Sequence, residues 1–361
     1  MDRREILDWL REDDPARLDA LWRQADGVRR RCVGDAVHLR GLVEFSNHCV
    51  RRCAYCGLRA PHRALRRYRM ADDEILACAR QAVGFGYGTV VLQSGEDYGV
   101  ATDWMADVVR RIKAETPLAV TLSLGERPEA DLAAWRDAGA GQYLLRFETS
   151  DRLLYDRIHP PLAGRRSDRI ALLRTLRDLG YETGSGVMIG LPGQTFGTLA
   201  DDIGLFRGLD LDMIGVGPYI AHPDAPLGRG AAELQAPDGQ QVPATERMAY
   251  KVVALTRMAC PWTNIPSTTA LATLNRSEGR ERGLQRGANV VMPNLTPVRY
   301  RALYEIYPAK VCIAETADDC HGCIRRRIES IGRTVARGPG HSPNRLRREA
   351  LVGAPGSKEA P

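Results

Sequence analysis

Lysine is nearly missing from this chain: four residues stand against 47 arginines in 361. A net charge of +6 built almost wholly from scattered arginine reflects codon composition more than a nucleic-acid surface, so no nucleic-acid partner is expected. Long apolar runs are missing too. Nothing approaches the ~20 residues that cross a bilayer, and the opening MDRREILDWLRED is too charged for a signal peptide. The expectation is a cytoplasmic chain with no membrane partner. A disulfide framework is equally absent, because six of the nine cysteines fall in two tight clusters, a pattern of metal binding in a reducing compartment. The other three, Cys32, Cys78 and Cys260, sit singly in helical or apolar contexts and read as packing residues.

What the chain does have is the stretch Leu42 to Arg59, LVEFSNHCVRRCAYCGLR, directly after an apolar run that reads as a strand. It spaces Cys49, Cys53 and Cys56 as C-x3-C-x2-C. Three thiolates on one short loop can hold three irons of a cubane, and the usual four-cysteine complement is then one ligand short. A metal with a vacant position suits chemistry, whereas a structural site is closed by its protein ligands. The alternative is a zinc knuckle completed by His48 or a remote cysteine, although zinc modules usually pair cysteines as C-x2-C twice over. A second set, Cys312, Cys320 and Cys323, follows in VCIAETADDCHGC as C-x7-C-x2-C, with His321 or water available as a fourth ligand.

Residues 1–33 read as two helices, the second starting at Asp14-Pro15 with Leu18, Leu21 and Trp22 on one stripe. Residues 1–35 are expected to form a helical cap. From Leu39 onward short, nearly continuous apolar strands alternate with amphipathic stretches such as 72–84, 104–115, 129–138, 169–179 and 246–258, as in parallel sheets buried on both faces. Eight strands are predicted: 39–45, 89–94, 119–124, 142–147, 184–189, 213–219, 263–269 and 289–293. Eight βα units predict an α/β fold, a complete (β/α)8 TIM-type barrel over 36–333 that includes the cysteine-rich segment 311–323. The connection 220–244 reads as a surface loop. After Gly332 the chain is poor in large apolar groups and rich in Pro, Gly and Arg, so 334–361 is predicted to be a disordered basic tail.

In such barrels the active site gathers at the C-terminal ends of the strands. There the sequence places the three cysteines, Gln93-Ser94-Gly95-Glu96, Ser123, Arg146 with Glu148, Met188, Thr268-Thr269 and Met292. Many are ordinary turn and cap types. Arg146 and Glu148 are not, because they alternate on an otherwise apolar strand, and buried charges need partners or a ligand.

The cysteine loop, with aromatic Tyr55 before its last cysteine, is the signature of the radical S-adenosylmethionine (SAM) family. Further runs, LQSGED, TLSLGER, YLLRFET, GYETGSGVMIGLPGQT, GVGPYIAHPDAPL, NIPSTTALATL, GANVVMPNLTP and LYEIYPAKVC, extend the likeness over about residues 35 to 333. Together they resemble the branch that holds biotin synthase, methylornithine synthase and the maturases of di-iron hydrogenases. The resemblance implies a 4Fe–4S cluster on Cys49, Cys53 and Cys56 whose open iron is chelated by SAM, and reductive cleavage of SAM to a 5′-deoxyadenosyl radical. It implies SAM contacts from Tyr55, Ser94, Gly95, Glu96, Ser123, Glu148, Met188 and Tyr304, with Arg169 holding the methionine carboxylate. Substrate-space positions are Arg40, Gln93, Arg146, Thr268, Thr269, Met292 and Tyr307.

The second cysteine set resembles an auxiliary site found in some members, a 2Fe–2S or 4Fe–4S cluster. Implied partners are a small-molecule or organometallic substrate, a reductant such as ferredoxin or flavodoxin, and other hydrogenase maturases. The expected activity is hydrogenase-subcluster assembly on an iron–cysteine–CO–cyanide synthon. The alternatives are a mutase like methylornithine synthase and a non-catalytic iron–sulfur carrier.

Overall fold

The computed structural model describes residues 1–164, 166–230 and 234–353. Seven strands, β1 His38–Ser46, β2 Thr89–Ser94, β3 Ala119–Ser123, β4 Gln142–Leu144, β5 Glu182–Ile189, β6 Met213–Pro218 and β7 Val290–Val291, form one parallel sheet in the order β6-β5-β4-β3-β2-β1-β7. Helices lie between them, as the apolar periodicity predicts. The helix Asp72–Gly84, for example, carries three acids in its first turn and buries Ile75, Leu76, Ala79 and Ala82 on one stripe.

The eight regular strands expected are seven. Residues 263–269 make only single parallel bridges, Met213 to Asn264 and Pro266 to Val290. Pro266, in mid-segment, has no N–H to give a ladder, which limits pairing to isolated bonds such as Ile214 N to Asn264 O (2.9 Å) and Ser267 N to Val290 O (2.9 Å). β4 also stops early, at Leu144 rather than Phe147: pairing with β5 resumes only at the Glu148–Val187 bridge, four residues on along one strand against three along the other, so one extra residue bulges out of the ladder before Glu148, whose φ is a left-handed +64°.

The N-terminal helices Arg3–Arg11 and Pro15–Val33 pack on the outer helices Phe196–Gly208 and Glu246–Ala259. Asp14 caps the second as expected, accepting from Arg17 N at 2.9 Å. Ile6, Leu10 and Leu21 belong to the same apolar core as the sheet. Between 220 and 244, the expected surface loop contains a 3-10 turn, Pro226–Arg229, and tucks His222 into the interior; 231–233 fall outside the described residues.

The disordered tail expected from residue 334 is instead built up to 353, while 354–361 lie outside the described residues. Val335 bridges Val37, and the turn Gly338-Pro339-Gly340 crosses the N-terminal ends of the strands. Thr89 Oγ1 donates to Pro339 O (2.6 Å) and Arg40 Nη2 to Gly340 O (2.9 Å). A Cβ on Gly88 would lie 1.7 Å from the Gly338 carbonyl oxygen, so the strap fits only a glycine there. A helix, Pro343–Gly353, follows. Counting apolar residues missed this because charge orders the segment: Glu182 and Asp212 are both fully buried and need donors. His341, Ser342 N (3.1 Å) and Arg345 (3.3 Å) answer Glu182, and Arg348 answers Asp212 (2.8 Å).

Candidate active site

One cavity of about 340 Å3 opens at the C-terminal ends of the strands, and nearly all the predicted site residues line it. The loop after β1 carries Cys49, Cys53 and Cys56 into its wall. Neighbouring elements pin that loop by its backbone: Val50 N donates to Glu96 O (2.9 Å), Ala54 N to Ile158 O (2.7 Å), Gly57 N to Ile306 O (3.1 Å) and Leu227 N to Ala54 O (2.9 Å). Asn47 closes its base through Tyr68 N (2.7 Å) and the carbonyls of Arg66 (2.9 Å) and Leu303 (2.8 Å). Burial pushes the Cys56 thiol up to about 12, with Cys49 adding to the rise, and likewise raises Cys53 and Cys49. Thiols kept protonated by their surroundings, an effect that Arg67 and Arg169 only partly offset, are a donor set prepared for a cation, whose binding takes the place of the protons. No three Cys, His or carboxylate side chains among the described residues converge on one ion position. A cubane does not ask for that, since each cysteine takes its own iron.

Beside the cysteines, and sharing their loop through Arg51, stands a buried four-membered network. Arg51 Nε donates to Glu96 (2.7 Å) and its Nη2 faces Glu126 (2.7 Å). Arg169 donates to Glu126 (2.9 Å) and to the Arg146 carbonyl (2.7 Å), and its Nη2 meets His159 Nε2 (2.7 Å). Burial, reinforced by Arg169 and Arg51, drops His159 to about 2, so it is a neutral acceptor. Burial alone would raise Glu126, but Arg169, Ser167 and Arg51 outweigh it and hold the carboxyl below its ordinary value. For Glu96 burial wins, and its pKa is raised despite Arg51 and Arg169. Gly95 has no room for a side chain, since a Cβ would approach His48 O to 2.3 Å.

Ser94, Ser123, Tyr55, Met188 and Tyr304 share this wall. Arg146 pairs with Glu148 at 3.2 Å, yet Arg146 Nε and Glu148 Oε2 are shielded from solvent with no hydrogen-bond partner. With the left-handed φ of Glu148, this is a strained, half-satisfied pair facing a cavity, the usual mark of a ligand contact.

Gln93, Thr268, Thr269, Met292 and Tyr307 line the rest. Arg40, expected among them, does not. It shares the inward face of β1 with Leu42 and Glu44, but one and two steps of ~7 Å below them, toward the barrel floor. There it binds Gln142 (3.3 Å) and Gly340 O (2.9 Å). A cation outside the expected set, Lys310, lines the cavity instead, paired with Glu44, which also accepts from Asn294 at 2.9 Å. Lys310 Nζ lies 5.3 Å over the Tyr304 ring. Glu44 was findable: a carboxylate inside an apolar strand is the signal that singled out Arg146 and Glu148. Arg51, Glu126, His159 and Lys310 sit in turns, where no periodicity exposes them.

Cys312, Cys320 and Cys323 gather in a different pocket of about 360 Å3, with Arg276, Arg280, Arg327 and Lys310. A hydrogen bond from Cys320 lowers Cys312 to about 6, with Arg280 and Arg301 helping against burial. Cys312 has φ +63°, and Arg280 Nη1 is buried without a partner. His321 does not join them; it stacks on Phe85 at 4.4 Å and meets Tyr87 Oη at 3.1 Å. Cys78 and Cys260 are buried and Cys32 half-buried.

The profile of the Radical SAM superfamily matches residues 43–206. The FeFe hydrogenase maturase subunit HydE of Thermotoga maritima is 45% identical over 335 residues, 92% of each chain. A 3-methylornithine synthase of Methanosarcina acetivorans is 27% identical over 80% of this chain and 77% of its own. Among solved structures, methylornithine synthase (PylB) superposes with a TM-score of 0.79 at 24% identity, covering 97% of this chain and 96% of that one. The maturase HydG gives 0.73 at 18%, covering 94% and 72%; at such identities these two speak for the fold alone. Set beside the cysteine loop and its cavity, the likeness over nine-tenths of the chain places it: this protein belongs to the radical SAM superfamily and is a radical SAM enzyme closely related to the hydrogenase maturase HydE.

Proposed function

We propose that this enzyme cleaves SAM reductively in the assembly of the FeFe-hydrogenase di-iron subcluster, acting on an iron–cysteine–CO–cyanide synthon. The observation that carries the reading is the single cavity that holds the three cysteines, the Arg51–Glu96–Arg169–Glu126 network and the Arg146–Glu148 pair. A three-cysteine 4Fe–4S cluster supplies an open iron for SAM and, when reduced, the electron for its cleavage to a 5′-deoxyadenosyl radical.

The rest falls to the chain. Arg169, anchored by Glu126 and His159, keeps N–H groups for the methionine carboxylate, a planar fork that Lys reproduces poorly. Glu148 accepts from ribose or amino hydrogens, and Arg146, Thr268, Thr269 and Tyr307 hold the substrate, whose cysteine sulfur the resemblance makes the target. The described sheet is read as closing into a ring through residues 264–266. Cys312, Cys320 and Cys323, set among four cations, are proposed to hold an auxiliary cluster outside the radical cavity.

The test is anaerobic reconstitution. The expected result is a four-iron cluster whose reduced EPR spectrum changes with SAM and is lost in Cys49→Ala, Cys53→Ala or Cys56→Ala. Full SAM cleavage in any of these would refute the cluster assignment. Addition of the synthon is expected to raise deoxyadenosine formation, and Arg146→Leu to remove that rise while SAM still binds. Stimulation by lysine and not by the synthon would replace the maturase with a mutase of the methylornithine synthase kind.

A further inference from the structure

Between Val50 and Met70 the chain has seven arginines and no acidic residue. Three of the seven are used internally. Arg51 belongs to the buried network, Arg67 donates to the carbonyls of Asn47, Leu58 and Arg59, and Arg69 pairs with Asp97 at 2.6 Å. The other four, Arg52, Arg59, Arg63 and Arg66, form no ion pair among the described residues, and Arg52, Arg63 and Arg66 are exposed. They lie on the outer side of the cysteine loop. Arg59 donates to the Arg52 carbonyl (3.3 Å), the 59–62 turn folds back so that His62 meets Gly57 O (2.7 Å), and Leu227 N holds Ala54 O (2.9 Å), which brings exposed Arg229 alongside. The carboxylate that answers them, Asp224, is already shared by Arg229 (3.4 Å) and His62 (3.6 Å).

Unpaired cations so close together repel one another and cost stability, so their concentration around one loop that carries no acidic residue of its own asks for an external anion. That loop is also the outer wall of the site that needs an electron from outside. We propose that Arg52, Arg59, Arg63 and Arg66, continued by Arg229, form the docking face for an acidic, low-potential electron-carrier protein. The proposal rests on the radical SAM reading above. In the step it serves, the carrier loses one electron and the cluster behind Cys53 gains it; no proton or bond changes hands.

A reduced plant-type ferredoxin, with dithionite as a small-molecule control, separates the outcomes. In the reconstituted full chain, bleaching of the cluster absorbance by ferredoxin is expected to slow about tenfold or more between ~10 mM and ~0.5 M salt, where the Debye length shrinks from ~30 Å to a few Å. The Arg52→Glu/Arg63→Glu/Arg66→Glu variant is expected to lose at least about tenfold of the low-salt rate and most of the salt dependence, while bleaching by dithionite stays within about twofold. Calorimetry of ferredoxin against the cluster-free chain is expected to give the same loss of affinity. Should the reversed variant not fold, the Arg→Gln version with an unchanged melting temperature carries the same test with a smaller effect. Unchanged ferredoxin kinetics in a variant that dithionite still reduces would overturn the docking face alone. A lost affinity for heparin with ferredoxin kinetics intact would also overturn it, assigning the patch to another polyanion. Failure of dithionite to reduce any cluster would instead count against the underlying reading.

Discussion

Replacing Arg169 by Ala perturbs the centre of the site, and the network sets the size of the effect. The side chain is largely buried, its three nitrogens placed on Glu126, the Arg146 carbonyl and His159. Two effects add. Losing the partner of a carboxylate should weaken SAM binding by ~1.5–3 kcal/mol, about ten- to a hundredfold in Kd. Leaving Glu126 with Arg51 and Ser167 as its remaining partners should cost ~3–5 kcal/mol in folding, the ordinary penalty for breaking a buried pair, less whatever Arg51 recovers. At ~2–4 °C per kcal/mol the melting temperature should fall by about 6–20 °C.

The folding loss depends on pH. Glu126 is held below its ordinary value, so its pairing stabilises the fold above about pH 4.5 and that stability fades as pH falls through the lowered value. The gap between wild type and Arg169→Ala should therefore be widest near neutrality and shrink on acidification. Arg169→Ala/Glu126→Gln, which removes the under-paired carboxylate but also one partner of Arg51, should recover part of the melting temperature and none of the SAM affinity, and Arg169→Lys part of each. The assays are differential scanning fluorimetry and anaerobic SAM titration of the reconstituted protein. If Arg169→Ala binds SAM as wild type does, Arg169 is a structural brace and not the carboxylate clamp.

Arg348→Ala strips the side-chain donor from buried Asp212 and should lower stability by ~1–3 kcal/mol, seen as a lower melting temperature and faster tryptic cutting within 337–348; an unchanged digest would mean that the strap is not held by charge. Asp202 is buried with one oxygen unpaired, and burial lifts its pKa to about 7. A raised carboxyl favours the fold at low pH and loses that contribution as pH climbs from about 4 toward 7, so Asp202→Asn should raise the melting temperature at pH 8 and change little near pH 4, with equal effects at both refuting the shift. A triple Cys312→Ala/Cys320→Ala/Cys323→Ala protein should hold less iron and still cleave SAM; complete loss of cleavage in a folded triple variant would make the second site essential.

The sequence made the strands and helices of the first three-quarters legible because parallel strands buried on both faces must be continuously apolar, and six strands lie within a few residues of their expected positions. It missed where a proline or a bulge interrupts a ladder, as at Pro266 and between Leu144 and Glu148, since neither leaves a periodic trace. It missed the strap at 334–353 because that segment is ordered by single charges meeting Glu182, Asp210 and Asp212, far apart in the chain. In the site, motif-borne residues came through. Arg40 was misplaced because a strand motif gives the face of a residue but not its depth along the barrel, and Lys310 was missed because its loop carries no pattern.

Exchanging Arg40 for Lys310 alters the electrostatics of substrate recognition. With Arg40 spent on the floor, the cavity does not present two bare guanidinium groups to an anion. Its cations are matched: Arg146 by Glu148, Lys310 by Glu44, and Arg51 with Arg169 by Glu96 and Glu126. A purely anionic ligand would have to pull a cation from its carboxylate and strand that carboxylate in a low-dielectric wall, at a cost near the gain. A ligand with both a carboxylate and an ammonium can replace both halves of a pair, so each protein charge keeps a partner. The α-amino acid head is common to an iron-bound cysteine and to lysine, and it is the part these pairs suit. On the proposed function, discrimination between the two would rest with neutral side chains that line the same cavity, Thr268, Thr269, Met292 and Tyr307.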